Sequence, residues 1–165
     1  MKLPTFIELN YNIKKRLWQI QPETYKEWKQ KENKLFCTKL MIYLNKLNLS
    51  YNEKIANFKA IYKIIFYYGF INFKRERDIL NLLLNNGFNA RLSNITEDAR
   101  YGIDIYAIKD NKTYFIQVKP SDYIHEMKHL IKSALRYDAL PLLAYTKDNK
   151  VYFKDLINNE LYKLI

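Results

Sequence analysis

Apolar residues recur every three to four positions through much of the first 70 residues, the spacing of helices that bury one face. Gln21-Pro22-Glu23 places a proline where a helix starts and an acid in its first turn, and residues 25–30 continue that helix. Leu35, Leu40, Ile42, Tyr43 and Leu47 repeat at helical spacing. Ser50, with Glu53 three residues later, matches a capping box and predicts a helix to about Tyr68, ended by Gly69 or its neighbour. From Arg75 the pattern changes. Residues 76–86 read as a helix closed by Gly87, and residues 88–93 as a strand. A polar loop follows. Residues 102–108 and 113–119 then alternate as strands around Asp110-Asn111, a tight-turn pair. Residues 123–137 predict another helix, and 140–145 and 151–153 predict strands around Asp148-Asn149.

This order describes an α/β protein, a mixed central sheet flanked by helices, with an N-terminal helical region. We divide it into a basic helical region, residues 1–72, and a core, residues 73–165. No internal repeat or low-complexity linker interrupts the chain.

The alternation also places chemistry. A two-residue turn at Asp110-Asn111 pairs Lys109 with Lys112, so facing positions sum to 221 and Asp104 lies opposite Gln117. Gln117 and Lys119 share that face, whereas Ile103, Ile105, Ile116 and Val118 point to the other. A bulge would shift this register. On the preceding helix Glu76 is in phase with Ile79, Leu80 and Leu83, the stripe that faces the sheet, while Arg77 falls elsewhere. Glu near a helix start is favourable in itself, but that does not account for its alignment with the buried stripe. Two carboxylates (Glu76, Asp104), the Gln117 amide and the Val118 carbonyl make a hard-oxygen set suited to Mg²⁺, with Mn²⁺ as a substitute. Lys119 stands beside it to orient or deprotonate a water.

Charge adds a partner. Through residue 75 there are 15 basic and 5 acidic side chains; from residue 76 there are 13 and 12. This asymmetry suggests a polyanion, most simply nucleic acid, for the first part, and a Lys-rich solubilising surface would give the same composition. Lys14, Lys15, Arg16, Lys74, Arg75 and Arg100 are the candidate contacts. The 15 tyrosines could stack on bases, although core filling is their commoner use. Cys37 has no cysteine partner and reads as a core residue. No apolar run approaches a membrane span, so an intracellular protein without a membrane partner is expected.

The runs Glu76-Arg77-Asp78 with Asn86-Gly87-Phe88, then Gly102-Ile103-Asp104, then Phe115-Ile116-Gln117-Val118-Lys119, resemble the PD-(D/E)xK nuclease superfamily. The spacing from Glu76 to Gly87-Phe88 is similar to that of archaeal Holliday-junction resolvases. The segment from Thr96 to Asp104 resembles restriction-type and phage nucleases. The likeness covers residues 74–155. It implies a restriction-endonuclease-like fold and a metal-dependent DNA endonuclease. Asp104 and Gln117 would bind metal, Lys119 would assist the attacking water, and Glu76 would be the helix carboxylate; Asp98 is a candidate auxiliary acid. The family more often has Glu or Asp where Gln117 stands, and an uncharged amide weakens metal affinity. A site-specific restriction- or homing-type enzyme acting as a homodimer is the favoured expectation. A junction resolvase and a catalytically silent DNA-binding module are the alternatives.

A second pattern competes. His125-Glu126-Met127-Lys128-His129 matches the zinc-protease motif H-E-x-x-H. These are the chain's two histidines, and the later Glu160 lacks the context of a third ligand. The expected helix buries Ile124, Met127, Ile131 and Ala134 and turns His125, Glu126, His129 and Lys132 to solvent, so we expect coincidence.

Overall fold

The computed structural model describes residues 1–122 and 127–165. These fall into two compact units, Met1–Lys74 and Arg75–Ile165.

The first unit is helical: α1 Phe6–Leu9, α2 Ile13–Ile20, α3 Tyr25–Asn45 and α4 Tyr51–Ile61, then a wider π-helical turn Tyr62–Tyr67. The capping box at Ser50 is present with both reciprocal bonds. Helix α3 starts from Thr24, whose hydroxyl caps Glu27 N–H, rather than from Pro22. Its buried stripe is Trp28, Glu32, Phe36, Leu40 and Leu44, strict i+4 spacing; the expected Leu35, Ile42 and Leu47 remain substantially exposed. Trp28, Phe36, Leu40 and Leu44 join Leu17, Ile61, Phe66, Phe70 and Phe73 in one aromatic-rich core. Cys37 is half-buried beside Asn33 rather than inside this core. Burial pushes its thiol pKa up.

Gly69 does not end a helix. Helix α5 runs Tyr68–Asn85, straight through the expected break. A Cβ at Gly69 would lie 3.2 Å from Ile13 Cδ1, so the residue serves close packing of α2 rather than termination. The predicted helix at residues 76–86 is therefore the second half of a longer one. Gly87 has φ +80° just beyond its end, as its left-handed role requires.

In the second unit a six-stranded sheet has the order β1 to β6, the strands being Asn89–Leu92, Ile105–Lys109, Lys112–Lys119, Ala139–Lys147, Lys150–Asp155 and Glu160–Leu161. All neighbours are antiparallel except β3 and β4, which are parallel and joined through helix α7, Lys128–Arg136. The architecture is thus a mixed sheet flanked by helices, as expected. One face packs Ile105, Ala107, Ile116, Leu142 and Ala144 against Ile79 and Leu83 of α5. The other packs Phe115, Leu143 and Tyr145 against Leu130 and Ala134 of α7. The expected polar loop after β1 contains helix α6, Ile95–Tyr101, opened by an Asn94–Glu97 capping box. Arg77, on a different face of α5 from the Ile79 stripe, is 8% exposed. On α7, Met127, Leu130 and Ala134 are buried and His129 and Lys132 exposed. The assignments made for Ile124, His125 and Glu126 lie outside the described residues.

Candidate active site at the β2–β3 break

The hairpin forms in the expected register. Asp110 and Asn111 take φ of 50° and 62°, the left-handed pair of a type I′ turn, and Lys109 pairs with Lys112. The sum of 221 holds to Ile105–Ile116 and then fails. Asp104 N–H bonds the Ile116 carbonyl at 2.9 Å, so Asp104 and Ile105 both oppose Ile116. Two residues facing one is a β-bulge. Toward β1 the order continues, with Ser93 N–H on the Asp104 carbonyl at 2.9 Å. Asp104 is therefore not directly opposite Gln117. The displaced strand also sends Ile103 into the core beneath α7, not to the face of Ile105.

The bulge frees the Val118 N–H from its backbone partner, and the Asp104 carboxylate takes it: Val118 N to Asp104 Oδ2 is 2.8 Å. Asp104 is 9% exposed, so a buried carboxylate receives a charge-assisted bond where the ladder opens. Gln117 and Lys119 flank that amide. Both alternate with Ile116 and Val118 to the face that α7 covers, and the Gln117 amide nitrogen lies 3.8 Å from where a Cβ on Gly102 would stand. Gly102 has φ +68° and turns the chain out of α6 toward the bulge. Across the parallel ladder Gln117 neighbours Leu143, and Lys119 neighbours Tyr145.

Glu76 is half-buried, with Oε2 shielded from solvent. Its helix covers the Ile105–Ile116 face through Ile79 and Leu83, the face opposite Gln117 and Lys119. The structure thus joins Asp104 directly to the Gln117–Lys119 segment, while Glu76 belongs to the helix on the other side of the sheet. Asp98 is half-buried on α6. Of the candidate DNA contacts, Lys15 and Arg100 are exposed and Lys14, Lys74 and Arg75 half-buried. Arg16 is engaged elsewhere, in a salt bridge with buried Glu32 of α3.

The donors gathered at or near the break are all oxygens: Asp104, the Gln117 amide and the Val118 carbonyl, with Glu76 on α5. Their hardness fits Mg²⁺ or Mn²⁺ rather than zinc. Among the described residues no three His, Cys, Asp or Glu side chains are grouped to hold a metal.

Besides the bulge and β6, α6 and the role of Arg91 were missed in the sequence. The Asn94–Glu97 capping box was legible and would have shown α6. Arg91, which binds Glu97 with two 2.8 Å hydrogen bonds, carried no local signal. That pairing holds the Glu97 carboxyl below its ordinary pKa. Among the described residues no helix is long and apolar enough to cross a membrane.

No family model matches the chain, and no curated protein matches it. Among solved structures, the Holliday junction resolvase Hjc of Archaeoglobus fulgidus, an archaeal hyperthermophile, is similar, with a TM-score of 0.43 and 23% identity over 50% of this chain and 73% of the resolvase.

Proposed function

We propose that this chain is a divalent-metal-dependent endonuclease that hydrolyses phosphodiester bonds of duplex DNA at specific sites, acting as a homodimer so that two sites cut two strands. The observation that carries this is the Asp104 carboxylate fastened to Val118 N–H at the bulge, between Gln117 and Lys119. Ladder N–H groups lie in the plane of their sheet. A carboxylate bound there stands between the two faces, open to Gln117 and Lys119 from one and to the helix of Glu76 from the other.

Asp104, Glu76, the Gln117 amide and the Val118 carbonyl would hold the cation. When bound, it supplies Lewis acidity toward a phosphate oxygen and the attacking water. The Val118 bond orients Asp104 before substrate arrives. Lys119 orients the water and balances charge gathering on the phosphate oxygens as the water oxygen bonds to phosphorus and one ester bond breaks. Lys14, Lys15, Lys74, Arg75 and Arg100 supply charge toward the DNA backbone.

A catalytically silent DNA-binding module is the second reading, favoured by Gln117 and the lack of a three-acid group among the described residues. Digestion of a complex DNA with Mg²⁺, wild type beside Lys119→Ala, separates them. Discrete fragments from the wild type alone support the proposal. Cleavage restricted to four-way junctions redirects it to the resolvase that the Glu76–Phe88 spacing resembles. Binding without cleavage, unchanged in Lys119→Ala, leaves the module.

A further inference from the structure

The sheet face that bears Gln117 also bears a cavity of about 370 Å³, two to four residues earlier on β3. Thr113 and Phe115 of β3, Tyr106 of β2, Arg91 of β1, Tyr101 of α6 and Tyr137 after α7 line it. Its rings form a connected series. Ring centroids lie 6.3 Å apart for Tyr101–Tyr137, 6.2 Å for Tyr137–Phe115 and 5.6 Å for Phe115–Tyr106. The series ends on Arg91, whose guanidinium sits 4.7 Å above the Tyr106 ring and is locked by its two bonds to Glu97.

The space opens to solvent on one side, and the rings line it in series rather than closing over it. The volume is that of a small-molecule site. Tyr137 contacts two of the other rings while remaining 53% exposed, an aromatic surface kept at the mouth. Aromatic faces and a stacked guanidinium favour a flat, π-rich guest. The hydroxyls of Thr113 and three tyrosines offer donors and acceptors to its edge.

We infer that this cavity takes one unstacked nucleobase of the bound DNA strand; the identity of the guest rests on the nuclease reading. At about 3.3 Å per residue, Phe115 and Thr113 stand roughly 7 and 13 Å along β3 from Gln117. A base entering here belongs to a nucleotide close to the phosphate that meets Asp104. The pocket would favour DNA distorted at the cut site, where unstacking a base costs least.

The test uses the full chain and two duplexes of the same sequence. One carries a single unpaired 2-aminopurine; in the other that base is paired. The wild type should bind the unpaired duplex about tenfold more tightly and quench its fluorescence by stacking. Tyr137→Ala should remove that preference and the quenching while leaving paired-duplex affinity unchanged, and Tyr137→Phe should retain both. Equal affinity for the two duplexes, equal losses in Tyr137→Ala, or no DNA binding at all would overturn the inference. Cleavage, scored separately with Mg²⁺, distinguishes the two ideas. Cutting without a preference for the unpaired base defeats the pocket alone, and preference without cutting defeats the nuclease alone.

Discussion

The two units bury carboxylates in different ways. In Met1–Lys74, Glu32 is 2% exposed and is met by Tyr11 Oη at 2.7 Å and by the Arg16 guanidinium. Burial raises the Glu32 pKa, but the hydrogen bonds from Arg16 and Tyr11 outweigh it and leave the carboxyl below its ordinary value. The same burial and the bond to Glu32 push the Tyr11 phenol up. In the second unit, Asp155 closes β5 by accepting from Ile157 N–H at 2.8 Å and from the Asn158 side chain at 2.9 Å, a local turn. Asp104 accepts the N–H of Val118, 14 positions away, at a bulge whose facing strand carries Gln117 and Lys119 on either side of Val118. A carboxylate matched by a cation, or by its own turn, serves folding. One placed by a bulge between two sheet faces is the carboxylate we propose for the chemistry.

Substitutions should separate the two kinds of carboxylate. The largest effect should come from Lys119→Ala, which should lower the Mg²⁺-dependent cleavage rate by about 10² or more without changing the thermal midpoint. Plasmid digestion beside a melting curve checks both. Glu32→Ala should do the reverse: cleavage chemistry survives, while urea unfolding loses about 2–3 kcal/mol, short of a fully buried pair because Arg16 is 40% exposed. The corresponding pH effect has a definite sign. With its folded pKa depressed, Glu32 contributes stability above the ordinary carboxylate pKa of 4.5, and that contribution is lost as pH falls through the lower folded value. Comparing acid unfolding of wild type and Glu32→Gln isolates it; parallel curves for the two would defeat the assignment.

Gln117→Glu tests the site from the other side. Adding a third negative ligand should lower the Mg²⁺ concentration for half-maximal cleavage by roughly tenfold. The smallest effect should be at Gly69. Gly69→Ala gains helix propensity of about 1 kcal/mol and must displace the flexible end of Ile13, 3.2 Å away. A net stabilisation of about 0.5 kcal/mol is expected by chemical denaturation.

Much of the second unit was legible because its signals are local. Asp110-Asn111 demanded a two-residue turn, and the alternation on either side then located Gln117 and Lys119. The bulge was not legible: Ile103 and Ile105 are both buried, so hydrophobicity alone cannot show that they enter different cores. Gly69 misled because a glycine that permits close approach and one that ends a helix look alike in sequence. Arg16 was expected at DNA because its partner, Glu32, lies 16 residues on and is found by tertiary packing. The faces of α5 could be phased, but sequence phase could not show that Glu76 and Gln117 belong to opposite sides of the sheet.

The connections on either side of β3 differ greatly in length, two residues before it and nineteen after it. By loop-closure entropy alone the longer one costs about 2 kcal/mol more to shut. During folding the hairpin should zip early and the parallel neighbour should dock late. The bond between Asp104 and Val118 belongs to the early event, so the polymer can set this corner of the sheet before its innermost strand arrives. Refolding followed by pulsed amide exchange should find Val118 protected ahead of Leu143.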